Sequence, residues 1–221
     1  MVTNTLEFDS IFLEFGFNRV LSDVHMIGRT GRIVGILGRN GSGKSCLLKV
    51  VAGAMTTSYQ SIRFNRQPLL GNYVRQKLVS YLPQHDLVPS FLTFAEAAHL
   101  YEADVALLAH YFPHWHTVRT LKPPQLSGGQ RRHLEVLLVL LAPHPFCLLD
   151  EPFSGLGPLQ IESLQSAMHA RKPTKGIFIT DHLHRQVRAL ADDLYLLANG
   201  RTQRVLDDEQ LIAGGYLPSG V

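Results

Sequence analysis

Cysteine is scarce in this chain: Cys46 and Cys147 are the only two in 221 residues, which excludes a disulfide framework or a cysteine-built metal site. Cys46 falls in the segment after a glycine-rich stretch and Cys147 in an apolar run, and both read as small buried hydrophobes. Long apolar runs are missing as well. The longest, Val136 to Ala142, covers seven residues against the roughly 20 of a membrane helix, so any membrane role has to come through a partner chain. The N-terminus has no basic segment ahead of an apolar core, and Glu7 and Asp9 stand where a secretory signal excludes acids; a cytosolic protein is expected. Charge of neither sign dominates, with 21 Lys and Arg against 18 Asp and Glu. No basic run is interleaved with aromatics, so nucleic acid is not an expected partner. Repeats and low-complexity segments are absent. What remains is an ordinary globular composition, 45% hydrophobic and 18% charged, long enough for one large domain or one domain with an insertion.

Three short β-type runs open the chain, Leu6 to Phe8, Ile11 to Phe15 and Val24 to Ile27, parted by polar or glycine positions. They predict an antiparallel element. Four apolar runs of strand length follow, at Ile33 to Leu37, Val79 to Leu82, Phe146 to Leu149 and Ile177 to Thr180. Three of them precede helix-like stretches, an alternation that predicts a buried parallel sheet in an α/β fold. Between the second and third runs, Thr93 to Leu141 has helical character broken by Pro113, Pro123 and Pro124. The organisation expected is a core of residues 1–84 and 142–221 with an inserted helical subdomain of residues 85–141. Near the end, Asp193 to Leu197 and Arg201 to Leu206 flank Asn199-Gly200, the signal for a tight hairpin. A short helix is expected from about Asp207.

Gly38-Arg39-Asn40-Gly41-Ser42-Gly43-Lys44-Ser45 follows directly on the run Ile33 to Leu37 and precedes a helical pattern, Cys46 to Ala52. This is a phosphate-binding loop in the context it requires. Its glycines let backbone N–H groups wrap phosphate oxygens, and the helix N-terminus adds about half a positive charge. Lys44 is placed to reach the outer phosphates, and the Ser45 hydroxyl is a ligand for Mg2+. The bare spacing arises by chance in on the order of one chain in a hundred of this size, and the strand and helix flanks lower that further. Phe146 to Leu149 then leads into Asp150-Glu151-Pro152. Strand ends of open α/β sheets are where ligands bind, so Asp150 is a candidate to hold Mg2+ through water. Glu151 is a candidate general base or water-positioner for attack on a phosphate. Ser127-Gly128-Gly129-Gln130 opens another helical stretch, and its Ser-x-x-Gln spacing is that of a capping box. A cap needs only Ser127 and Gln130, whereas each glycine in that first turn costs about 1 kcal/mol against alanine. Close approach of an anion would account for them.

The string Leu126-Ser127-Gly128-Gly129-Gln130 resembles the signature motif of ATP-binding cassette proteins, and it precedes Asp150 as the family order requires. The resemblance covers nearly the whole chain. It implies a P-loop NTPase core, hydrolysis of ATP with Mg2+, and a dimer in which the signature of one subunit closes over phosphates bound by the other. The partner subunit would be a second copy or a paralogous ATPase. A transmembrane permease on a separate chain is implied too, which would hold the protein at the inner face of the cell membrane. By the same resemblance, Gln84 matches the glutamine that links Mg2+ and the γ-phosphate to the permease. His182 matches the histidine that senses the γ-phosphate, and Phe15 matches the aromatic that stacks on adenine, with Phe12 and Phe17 offering the same chemistry nearby. A cassette protein acting on a soluble complex is the alternative; its common forms carry two cassettes or a long coiled-coil insertion, and this chain has neither.

Two departures from the family pattern stand out. Gly157, followed by Pro158, occupies the place where the family commonly has Asp after Ser154-Gly155-Leu156. The 41 residues between Gln84 and Leu126 are compact for the inserted region. The strings Glu151-Pro152-Phe153 and Thr180-Asp181-His182 resemble lipopolysaccharide-export ATPases, while the Gly155 to Pro158 string resembles those of branched-chain amino-acid importers. His114, His116 and His184 lack the converging partners zinc needs and read as surface residues. Arg131 and Arg132 either attract phosphate or solvate an exposed face of their helix.

Overall fold

A computed structural model describes residues 3–69 and 77–217. Its elements, in chain order, are β1 (Thr5–Phe15), β2 (Asn18–Leu21), β3 (His25–Arg29), β4 (Ile33–Leu37), α1 (Lys44–Val51), β5 (Tyr59–Phe64), β6 (Gln67–Pro68) and β7 (Val79–Leu82). There follow α2 (Phe94–Leu100), α3 (Val105–Tyr111), α4 (Trp115–Val118), α5 (Gly128–Leu141), β8 (Phe146–Asp150) and α6 (Pro158–Arg171). The chain continues with β9 (Gly176–Thr180), α7 (His184–Leu190), β10 (Asp193–Ala198), β11 (Arg201–Val205) and α8 (Asp208–Ala213).

The central sheet runs β11-β10-β4-β9-β8-β7, parallel except for β11, which pairs antiparallel with β10. Its middle strands are apolar at nearly every position because both faces are covered. Ile33, Leu37, Cys147, Leu149, Ile177 and Ile179 face the helical layer of α5, α6 and α7. Val34, Ile36, Phe146, Leu148 and Phe178 face the opposite way, toward α1 and the antiparallel sheet. Each such fully buried side chain contributes about 1.5–3 kcal/mol. Phe178 ties the two sheets together, its ring centroid 5.0 Å from that of Phe8 and 6.3 Å from that of Phe146.

The antiparallel sheet differs from the sequence expectation in two ways. The runs Leu6 to Phe8 and Ile11 to Phe15 are one strand, β1, kinked at Ser10, whose φ is +53°. The register shift there lets the first half pair with β3 and the second half with β2, the usual effect of a bulge. β5 and β6, which pair beside β1, were not anticipated. In Tyr59–Phe64 only Ile62 is fully buried, so the segment carries little apolar signal.

The helical region is punctuated by its caps. Thr93 and Glu96 form a capping box on α2, and the Asp104 carboxylate accepts the amides of Ala106 and Leu107 to start α3. α3 ends at Tyr111 with Phe112 as its C-cap, just before Pro113, and Pro123 and Pro124 shape a 3-10 turn ahead of α5. At the C-terminal end, Asn199 and Gly200 both have positive φ in the two-residue turn between β10 and β11.

Candidate functional site

β4, β9, β8 and β7 are consecutive in the sheet and point the same way, so their carboxyl ends lie in a row spanning about 14 Å at one strand spacing per step. The glycine loop follows β4, Thr180 to His182 ends β9, Asp150 and Glu151 end β8, and Gln84 follows β7. The order of strands, rather than any proximity in sequence, brings these four segments together. A cleft of about 420 Å³ opens among them, lined by Asn40 to Cys46, Val20, Gln84, Glu151 and His182.

The loop is built for close approach. A side chain at Gly38 would meet the Ser42 hydroxyl at 2.5 Å and the Leu197 carbonyl oxygen at 2.6 Å. Gly43 caps α1 with φ of +101°, a conformation that favours glycine. Lys44 lies folded over the loop, its Nζ donating to the carbonyl oxygens of Gly38 at 2.7 Å and Arg39 at 3.2 Å. Burial lowers the pKa of its ammonium from the usual value, against the pull of Glu151 and Asp150. Arg39 points away from the cleft and donates to the Gly215 carbonyl oxygen at 2.6 Å.

The carboxylates are held differently from each other. Asp150 is fully buried, and its Oδ1 accepts hydrogen bonds from Thr180 Oγ1 at 2.7 Å and Ser45 Oγ at 3.1 Å. Its Oδ2 is buried with no donor among the described residues, and burial raises the pKa of the carboxyl above its ordinary value in spite of the two hydroxyls. A hard, oxygen-seeking cation fits this donor set: an orphaned carboxylate oxygen beside a serine hydroxyl suits Mg2+. Glu151 adopts φ of +50°, strained for a residue with a long side chain. Its Oε2 accepts from Gln84 Nε2 at 3.1 Å and lies 3.9 Å from His182 Nδ1. The arrangement can orient a water against a phosphate in the cleft and take up its proton.

Residues 127 to 130 lie elsewhere. Among the described residues they do not line the cleft. Ser127 and Gln130 form the capping box, with Gln130 N donating to Ser127 Oγ at 3.2 Å and Ser127 N to Gln130 Oε1 at 3.1 Å. The two glycines separate in meaning. A Cβ on Gly129 would stand 3.2 Å from the Gly155 carbonyl oxygen, so close packing within the chain accounts for it; a Cβ on Gly128 would meet nothing within 4 Å among the described residues. Phe15, at the end of β1, is 54% exposed and also outside the cleft lining, as are Phe12 and Phe17. Gly157 starts α6, its amide donating to Gln160 Oε1 at 3.0 Å.

Two sequence readings need correction. Cys147 is buried, but Cys46 is only partly so and lines the cleft, because it sits in the first turn of α1 directly after Lys44 and Ser45. Arg132 neither solvates an exposed face nor reaches the cleft. It is buried and hydrogen-bonded to main-chain carbonyls, while Arg131 pairs with Asp86 at the surface. Asp181, which the sequence marks only as part of the Thr180-Asp181-His182 string, has a structural role of its own. Fully buried, it accepts the amides of Phe153 and Leu183 at 2.9 Å each, tying the segment after Glu151 to the one carrying His182.

A glycine loop between a parallel strand and a helix, with carboxylates at the neighbouring strand ends, defines a phosphate-loop nucleotide-binding fold. Comparison with known proteins narrows the class: the family model described as ABC transporter matches residues 21–154, and the chain belongs to that family. It is 30% identical, over 90% of its length and 76% of the relative's, to a probable ABC transporter ATP-binding protein of Azorhizobium caulinodans. It is 31% identical to the lipopolysaccharide export system ATP-binding protein LptB of Escherichia coli, over 87% of this chain and 89% of that one. The high-affinity branched-chain amino acid transport ATP-binding protein BraG of Pseudomonas aeruginosa is 28% identical over 89% and 90%. A solved ATP-binding subunit of an ABC transporter superimposes with a TM-score of 0.83 at 25% identity, covering 97% of this chain and 95% of that one.

Proposed function

We propose that this chain binds and hydrolyses MgATP as the ATPase subunit of a membrane transporter, working as a head-to-tail dimer. The observation that carries the reading is the cleft in which Lys44 and Ser45 of the loop meet Gln84, Glu151 and His182. The loop residues Gly38 to Ser45 would cradle the phosphates, with Lys44 exchanging its bonds to the loop carbonyls for phosphate oxygens. Ser45 and Asp150 would hold Mg2+, with Gln84 beside it, and the ion when bound neutralises developing charge on the phosphate oxygens. Glu151 would orient the attacking water, His182 would sense the terminal phosphate, and Phe15 would stack on the adenine.

The second half of the site comes from the other subunit. Gly128 opens the 14-residue helix α5 with none of the described residues within 4 Å of where its Cβ would stand, and a helix N-terminus left open in this way suits a phosphate. Ser127, Gly128, Gly129 and Gln130 of one subunit would therefore close over the ATP of its partner, which is a second copy or a paralogous ATPase. Binding closes the dimer and hydrolysis reopens it.

Coupling to transport is supported by relatives whose names place them in a lipopolysaccharide export system and in branched-chain amino acid transport. No helix among the described residues is long and apolar enough to cross a membrane; in this reading the permease would be a separate chain, met at the cytoplasmic face. Residues 85–141 would form the helical subdomain that meets it. A mostly apolar groove of about 350 Å³, lined in part by Tyr81, Pro83, Leu87 and Tyr101, flanks Gln84 and suits that contact. The test is to purify Glu151→Gln in MgATP from native membranes in mild detergent, with Lys44→Ala as control. A stoichiometric multi-span partner is expected. Recovery of soluble partners or ribosomes alone overturns the transport reading while leaving the ATPase reading intact.

A further inference from the structure

Arg132 stands in the second turn of α5, the helix that Ser127 caps. Its guanidinium reaches back under the cleft. Nη1 donates to the Pro83 carbonyl oxygen at 2.8 Å, and Nη2 donates to the carbonyl oxygens of Asp150 at 2.6 Å and Glu151 at 3.1 Å. Glu135, one turn on and more deeply buried, lies 3.7 Å from Nη1 and accepts the amides of Leu87 at 3.0 Å and Val88 at 3.3 Å. One planar fork thus grips the main chain just before Gln84 and at both carboxylates. Lysine, a point charge on a flexible stem, does not reproduce such a fork.

The grip falls where the backbone needs holding. Glu151 keeps its left-handed conformation among three main-chain restraints: its amide donates to the Thr180 carbonyl oxygen at 2.8 Å, and its own carbonyl accepts from Arg132 at 3.1 Å and from the Ser154 amide at 3.3 Å. A strained φ persists only while its surroundings over-determine it. Arg132 supplies the shorter of the two bonds to that carbonyl and the one that reaches it from another helix; its loss leaves the Ser154 amide of the same loop, which moves with Glu151, and lets the carboxylate shift away from Gln84.

We infer that Arg132 is a positioning residue for hydrolysis, fixing the backbone of Glu151 and of the Gln84 segment to the helix that carries Ser127 and Gly128. Seating of that helix against a partner's nucleotide is thereby linked to alignment of the carboxylate in the same chain. The inference rests on the proposed role of Glu151.

The experiment is a double-mutant cycle on purified protein. kcat and KM for MgATP are measured for wild type, Arg132→Lys, Glu151→Gln and the double variant, with single-turnover rates for the slow ones and a thermal melt for each. Arg132→Lys should lower kcat by roughly a hundredfold, the cost of displacing a reacting group by about 1 Å. KM should stay within about threefold, since Arg132 does not touch Lys44 or Ser45. In the Glu151→Gln background the same change should alter the rate by less than about twofold, because groups acting as a unit are non-additive. If Arg132→Lys does not fold, Glu135→Gln, which leaves the arginine but neutralises its carboxylate neighbour, should show the same pattern. Unchanged kcat per folded molecule, or an equal loss in both backgrounds, overturns the inference. Full turnover of Glu151→Gln by itself removes the catalytic reading of Glu151 and this inference with it.

Discussion

Acid should destabilise this protein through one histidine outside the site. His133 follows Arg132 on α5, is 5% exposed, and packs edge-on against Phe112 with ring centroids 5.3 Å apart. Its Nε2 is buried with no partner among the described residues, and burial pushes its pKa down to about 4. The sign follows from the direction of the shift. In the unfolded chain the imidazole takes a proton as pH falls through about 6.5, while the folded protein keeps it neutral down to about 4. The unfolded state binds more protons across that window, so stability falls as pH falls. Between pH 7 and pH 5 the loss from this group is about 2 kcal/mol. Urea unfolding at the two pH values, followed by fluorescence of the buried Trp115, measures it against His133→Leu. Groups titrating in both proteins cancel in the difference, so wild type should lose about 2 kcal/mol more than the variant. Equal losses would refute the buried neutral histidine.

Lys44→Ala should lose tight nucleotide binding while keeping its melting temperature within a few degrees, as read by a fluorescent ATP analogue and a thermal melt. Gly128→Ala should separate stability from function. Its new methyl meets nothing, and alanine favours a helix by up to about 1 kcal/mol, so the melting temperature should hold or rise while ATP turnover falls by at least roughly tenfold; full turnover would remove Gly128 from the site. Gly28→Ala tests the packing between the sheets. Its Cβ would stand 2.1 Å from the Phe178 ring, and overpacking of this kind should destabilise the protein by about 1–3 kcal/mol in denaturant unfolding.

The parallel core was readable from sequence because burial on both faces leaves runs such as Ile33 to Leu37 and Phe146 to Leu149 almost wholly apolar. Tight turns were readable for a local reason: Asn199-Gly200 supplies two positive φ angles in adjacent residues. β5 was not readable, since a strand at the side of a half-solvated sheet needs only Ile62 to be fully buried. Within the site, Gly38 to Ser45 and Asp150-Glu151 announce themselves by their chemistry and their flanks. Ser127 to Gln130 does so less cleanly, because a capping box uses the same serine and glutamine and packing against Gly155 explains Gly129. Arg132 and Asp181 leave no local trace. The carbonyls that Arg132 holds lie 18 to 49 positions away and the Phe153 amide that Asp181 holds lies 28 away, and only the order of the strands brings those groups within reach.

The central claim is that Glu151, held between Gln84 and His182, activates the water that attacks ATP. Steady-state and single-turnover hydrolysis of MgATP by purified Glu151→Gln, beside ATP binding by the same protein, tests it most directly. Binding should persist while kcat falls by roughly a hundredfold to ten-thousandfold, the usual worth of a general base. Turnover at the wild-type rate with binding intact would contradict it.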